Sequence, residues 1–324
     1  MEKKLFDYVI GNPPYQGDRI GNSKTATPIY NEFMDAAFSI GNAVELITPA
    51  RFLFNAGGTP KNWNTKILQD PHFKVMNYES DASKIFSNTD IKGGVAITYR
   101  DNSKNYGPIE IYTTYPEMNS ILKKILPFIE KFGSLMNLGF VASKFNTDNL
   151  FNDYPEYIGH ERRMSSNVLS FPCFHSEKQP DDILIFGVKQ NQRSEQYINT
   201  KYVDMSDGNI KKYKIITPKA DGNGTYGDTL TKPLILPPNS GFTHTFLGIG
   251  GFDTNTAAEN ALKYIKTKFA RCLLGILKIT QDMNADKWKY VPLLDFSNYS
   301  DINWDTSINE IDAQLFEKFG LNEI

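Results

Sequence analysis

Asn12, Pro13, Pro14 and Tyr15 stand directly after an apolar run, Phe6-Asp7-Tyr8-Val9-Ile10-Gly11. These residue types in this order suit one kind of chemistry. An exocyclic amine on an aromatic ring is a poor nucleophile, because its lone pair is delocalised into the ring. Two acceptors aimed at its two N–H bonds draw the lone pair back onto nitrogen. The Asn12 side-chain carbonyl is one such acceptor, and the Pro13 main-chain carbonyl is the other. Pro13 holds Asn12 extended, and consecutive prolines fix φ at 13 and 14. The loop is therefore stiff, and rigid acceptors placed where charge develops are the general form of electrostatic catalysis. Tyr15 offers an aromatic face to a base taken out of its stack. The plain alternative is a proline-rich turn after a buried strand, with Tyr15 in ordinary packing.

The flanking elements must position this loop. Residues 6–11 read as a buried strand stopped by Asn12-Pro13-Pro14. Ile29, Phe33, Ala36, Ala37 and Ile40 have helical spacing, and Gly41-Asn42 ends that helix. AVELIT (43–48) is the next strand. Residues 59–69 form a second helix, with Thr59 as N-cap and Pro60 in its first turn. FKVMNYE (73–79) and GGVAITYR, ending at Arg100, are two further strands. This order predicts an α/β sheet with an antiparallel pair at its end, in which a ligand binds beyond the carboxyl ends of the strands. Residues 116–132 read as a helical connector broken at Pro127.

Beyond the connector the chain is rich in Gly, Pro, Asn, Tyr and Phe, with strands expected at DILIFGV (182–188), KYKIIT (212–217) and KPLILPP (232–238). One long helix is expected from about Thr256 to Thr280, and a short one near Ser307–Phe319. We therefore expect two domains, 1–130 and 131–324, the second mostly β with a C-terminal helix.

The segment FDYVIGNPPY resembles motif IV of the gamma-class N6-adenine DNA methyltransferases, and AVELITPARFL (43–53) and residues 73–101 resemble the strands that follow it in that family. TPARFLFNAGGTPKNWN, NTDIKGGVAITYRD and the ending GFDTNTAAENALKYIKTKFARCLLGILKITQ…WKYVPLLDF resemble Type IIG restriction–modification methylases. The resemblance implies the C-terminal half of a Rossmann-like methyltransferase sheet followed by a target-recognition domain. It implies base flipping, site-specific DNA methylation at adenine N6, and S-adenosylmethionine as cofactor. Asn12, Pro13, Pro14 and Tyr15 would then be catalytic, and Tyr99 would stack on the other face of the flipped base.

Double-stranded DNA is the implied partner. Arg162, Arg163, Lys189, Arg193, Lys211, Lys212 and Lys214 are the candidate contacts, since Arg and Lys serve both phosphates and guanine. The net charge of −2 is no help to that reading, although residues 131–220 carry 12 basic and 10 acidic side chains. Cys173 and Cys272 are the only cysteines and lack metal-ligand spacing, so we expect no metal and a reducing, cytoplasmic setting. No apolar run approaches the roughly 20 residues that span a bilayer.

The family places a Gly-rich cofactor loop before motif IV. The only similar strings here, residues 220–224 and Gly248-Ile249-Gly250-Gly251, read as turns. The sequence therefore predicts an incomplete cofactor site, and a fragment or subunit that depends on an upstream partner. Two other readings remain at this level: a non-catalytic DNA-specificity module, and a methyltransferase acting on a protein glutamine.

Overall fold

The computed structural model describes residues 4–17, 26–87, 91–220, 222, 226, 230 and 232–321. It is a mixed α/β structure in two units, Met1–Asn119 and Ser120–Ile324.

The first unit runs β1 (Phe6–Gly11), α1 (Tyr30–Ile40), β2 (Gly41–Pro49), α2 (Lys61–Leu68), β3 (Phe73–Glu79) and β4 (Val95–Asp101). Its sheet has the order β1-β2-β4-β3. β1 pairs parallel with β2, while β4 lies antiparallel between β2 and β3. β1, β2 and β3 therefore point the same way, and their carboxyl ends share one end of the sheet with the start of β4.

Alternation along the strands sets the two faces. Val44, Leu46 and Thr48 on β2, Ala96 and Thr98 on β4, and Phe73 on β3 are buried. α1 covers this face, with Phe38 6.3 Å from the Phe73 ring and 5.2 Å from the Arg100 guanidinium. Phe52 from the turn after β2 and Trp63 from α2 meet edge to face at 5.5 Å. The other face is open at the β1 edge, where Phe6, Tyr8 and Ile10 are 53%, 64% and 76% exposed.

Two local expectations change, one in this unit and one in the helix that runs on into the second. Pro60, not Thr59, is the residue before the first turn of α2; Thr59 instead donates to Asn64 Oδ1 at 2.8 Å. α3 (Pro116–Phe132) is a single helix through Pro127 rather than a broken one. Pro127 and Lys123 are both exposed, so the Lys123 carbonyl that loses its helical donor faces water.

The second unit holds β5 (Gly139–Phe140), α4 (Thr147–Asp153), β6 (Asp182–Lys189), β7 (Gln192–Asn199), β8 (Tyr213–Pro218), β9 (Leu234–Leu236), β10 (Ser240–Phe242) and β11 (Phe246–Phe252). One sheet is ordered β10-β6-β7 and the other β5-β11-β8-β9. β6 and β7 form a hairpin through Gln190 and Asn191, both at positive φ, as a two-residue turn of matching twist requires. Phe145, Leu150, Met164, Ile185 and Ile198 lie in the core beneath the first sheet.

α5 (Asn255–Lys266), α6 (Lys268–Leu277) and α7 (Ile308–Lys318) complete the unit. The single helix expected over 256–280 is thus two. Thr267 is extended (φ −61°, ψ 154°), ends α5, and caps α6 by accepting from Ala270 N–H at 3.1 Å. The buried Asp312 carboxylate on α7 accepts from the N–H groups of Lys268 and Phe269 at 3.0 and 2.9 Å. The amphipathic pattern continues across the break because both helices bury the same side.

Gly248–Gly251 is also not a turn. It lies within β11, with an irregularity in register between Gly250 and Phe252. A Cβ on Gly248 would stand 2.5 Å from the Phe140 ring, so this glycine serves strand packing. Most of 220–224 lies outside the described residues. Among the described residues no helix is long and apolar enough to cross a membrane, and no cluster of three or more His, Cys, Asp or Glu side chains is arranged to hold a metal ion.

Candidate functional site

The loop Asn12–Tyr15 leaves the carboxyl end of β1, at the sheet end where ligands bind in open α/β folds. Asn12 is exposed and Tyr15 half-buried. The loop is fastened from the far side. Ile29 N–H donates to the Tyr15 carbonyl at 3.2 Å, and Gly17 N–H donates to the Thr27 carbonyl at 2.9 Å. These bonds lead straight into α1, so the helix that covers the sheet also holds the loop. Among the described residues, no donor is bonded to the Pro13 carbonyl. Asn12 and Pro13 thus stand side by side after β1, with Asn12 exposed and Pro13 half-buried.

The Tyr15 hydroxyl is shielded from solvent and lacks a hydrogen-bond partner of normal geometry, although it faces the Asn12 side chain. Burial raises its pKa and the Asn12 side chain lowers it, with burial the stronger. Tyr15 is therefore neutral near neutrality and offers its ring rather than a phenolate.

Tyr99 is elsewhere. It pairs with Glu45 in mid-sheet, four residues past the start of β4 at Val95. Its hydroxyl donates to Asp101 Oδ2 at 3.2 Å and also meets Tyr8. These contacts, the Tyr8 bond first and burial second, push its pKa well up. Lys74 Nζ lies 5.4 Å from its ring centroid. Tyr99 stands level with Ile10 across Glu45, two residues before Asn12, with its ring engaged on the sheet face.

Phe86 went unnoticed in the sequence. It lies in the connection from β3 to β4, which emerges at the same sheet end as Asn12. It is half-buried, and its N–H donates to the Ala82 carbonyl at 2.8 Å. The available signal was an aromatic residue in a loop between the paired strands.

The candidate DNA contacts separate by environment. Lys189, Arg193 and Lys211 are exposed. Arg193 donates to the Lys232 carbonyl at 3.0 Å, and Lys189 to Gln196 Oε1 at 3.3 Å. Arg162 pairs with Asp204 at 2.9 Å and Lys212 pairs with Asp253. Arg163 is half-buried, with its Nε unbonded among the described residues. Lys214 must be withdrawn from the group. It is 1% exposed, with its ammonium bonded to carbonyls inside the unit, so it cannot reach a phosphate.

Residues 1–86 match the model of the Eco57I restriction-modification methylase family. Over 93 residues the chain is 30% identical to an uncharacterized adenine-specific methylase of Mycoplasma pneumoniae, a match covering 28% of this chain and 22% of that protein. These matches bear out the resemblance to restriction–modification adenine methylases, and the matched segment contains the Asn12–Tyr15 loop. A solved structure of the Type IIL restriction-modification enzyme MmeI in complex with DNA superposes with a TM-score of 0.42 at 8% identity. That likeness covers 97% of this chain and 54% of the enzyme, so the chain spans about half that enzyme's length and the match a smaller share of the bacterial methylase.

Proposed function

We propose that this chain supplies the base-handling and DNA-recognition parts of a site-specific DNA adenine-N6 methyltransferase of a restriction–modification system. The observation that carries the reading is the Asn12–Tyr15 loop. An exposed Asn12 amide and an unbonded Pro13 carbonyl stand together at the carboxyl end of β1, within the methylase-like segment. In the proposed mechanism the Asn12 and Pro13 carbonyls accept the two N–H bonds of the adenine amine and localise its lone pair. Tyr15 stacks on one face of the flipped base, and Phe86, carried at the same sheet end, takes the role first given to Tyr99.

S-adenosylmethionine is the methyl donor such an enzyme uses. The Asn12–Tyr15 loop suits the acceptor, while Gly248–Gly251 lies within β11 rather than in the turn before α5, so it does not supply a Gly-rich cofactor loop. In this reading the donor is held by a further polypeptide segment that pairs along β1. The open edge and exposed Phe6, Tyr8 and Ile10 support that arrangement, because such an edge invites strand addition. Calorimetry is expected to show weak or no S-adenosylmethionine binding by this chain by itself, and methyl transfer to duplex DNA is expected only once the companion segment is supplied. Micromolar cofactor binding by the chain by itself would overturn the partner requirement.

A further inference from the structure

Two cationic side chains and a histidine from separate segments of the second unit lie together, and among the described residues Glu161 is the acid that acts on the histidine. Lys219, which follows β8, places its ammonium 3.1 and 3.2 Å from the two ring nitrogens of His244, which stands between β10 and β11. His244 N–H donates to the Met164 carbonyl at 2.8 Å, which draws the segment carrying Arg163 alongside. Lys144, exposed, is bridged to Arg163 in antiparallel register.

The positive charges in this cluster oppose one another. Arg163 and Lys219 each disfavour protonation of His244, and Arg163 disfavours the charge on Lys219; burial acts in the same direction on both, and is the larger effect. Glu161 is the acid that acts on His244 against them. The neighbouring Arg162 is neutralised by Asp204, whereas Arg163 Nε is buried with no acceptor among the described residues. A buried guanidinium donor without a partner is costly, and like charges held together cost more. A tetrahedral oxyanion relieves both, because its oxygens accept from several cationic donors at once.

We propose that Arg163, Lys219 and His244 form a phosphate-binding site, and that its occupant is a backbone phosphate of duplex DNA. The inference rests on the DNA-recognition reading above and deepens it. It names Lys219 and His244, which charge pattern in the sequence did not single out. It also divides the Arg162-Arg163 pair into one arginine spent on an internal ion pair and one left for a ligand.

The test uses the full chain. Inorganic phosphate is titrated while the His244 imidazole resonances, assigned with His244→Gln, are followed by NMR. The salt dependence of binding to a 20-base-pair duplex is then measured for the wild type, Arg163→Gln, Lys219→Gln and an exposed control on α5, Lys266→Gln. Phosphate is expected to move the His244 signals at millimolar concentration in the wild type, and not in Arg163→Gln or Lys219→Gln. Each of those two variants is expected to lower the slope of log K against log salt by about 1, with the control changing it less. Their melting temperatures should hold or rise, because a repelled charge has been removed; a merely structural role would lower them. His244 signals unmoved by phosphate would overturn the site. Signals that move while both slopes stay at the wild-type value would overturn the DNA backbone as its occupant. Neither result depends on methyl transfer, so failure of the Asn12 chemistry would leave this test standing.

Discussion

Lys214 on β8 donates to the Ser240 carbonyl on β10 at 2.7 Å, and this bond ties the two sheets of the second unit together. The same ammonium reaches Ser240 Oγ at 3.1 Å and the carbonyls of Ile210 and Pro237 at 3.3 and 3.4 Å. Those acceptors let a charged group sit inside the protein, where unpaired it would be prohibitive.

Burial holds the Lys214 pKa below its usual value, at about 8. Between that value and the ordinary 10.5 the unfolded chain keeps a proton that the folded chain has released. Stability from this group therefore rises with pH across that window and is lowest below it. Denaturation of the wild type and Lys214→Met at pH 7 and pH 9.5 isolates the effect. The wild type is expected to gain on the variant by on the order of 1–2 kcal/mol at the higher pH. An equal gap at both pH values would show that the ammonium titrates normally.

Asn12→Ala is expected to remove methyl transfer in the completed enzyme while leaving DNA affinity near the wild-type value, because its role is confined to the chemical step. Near-normal turnover by this variant would reduce the loop to a structural turn.

Tyr15→Ala removes a stacking face worth about 1–3 kcal/mol per base, so both affinity and rate should fall. Tyr15→Phe keeps the ring and loses a hydroxyl that has no hydrogen bond of normal geometry, so it should be mild. Fluorescence of 2-aminopurine at the target position reports flipping directly. Equal damage from the two substitutions would refute the stacking role.

Tyr99→Phe should cost about 1 kcal/mol of stability through loss of the bond to Asp101, and Tyr99→Ala, which removes the ring, should leave 2-aminopurine fluorescence unchanged. Phe86→Ala should alter that fluorescence. The reverse pattern would return the stacking role to Tyr99.

Asp312→Ala strips two backbone donors at the start of α6 of their acceptor. A loss of about 2–3 kcal/mol is expected, since the bonds run to a carboxylate. A change under a few tenths, measured by urea denaturation, would mean that Thr267 alone suffices as cap.

Much of the first unit was legible in the chain because local rules govern it. The residues of β1 and the helix at 30–40 follow from apolar spacing and from the prolines and glycine that stop them. The Asn12–Tyr15 loop is legible for the same reason: its rigidity is covalent, and its place after a strand fixes which sheet end it occupies. Pairing partners and heights were not legible. That Tyr99 lies beside Tyr8 and Asp101, and Phe86 at the loop end, depends on the register of β4 between β2 and β3, and periodicity is blind to register. The two helices within 256–280 separate because Asp312, some 40 residues away, offers acceptors to freed N–H groups. Charge fared worst. Lysine is lysine in a sequence, but Lys214 is consumed by four carbonyl and hydroxyl oxygens, Arg162 by Asp204, and Arg163 by nothing among the described residues. Only the tertiary structure assigns those partners, because a charge acts through what lies within a few ångströms of it, and here those neighbours come from distant parts of the chain.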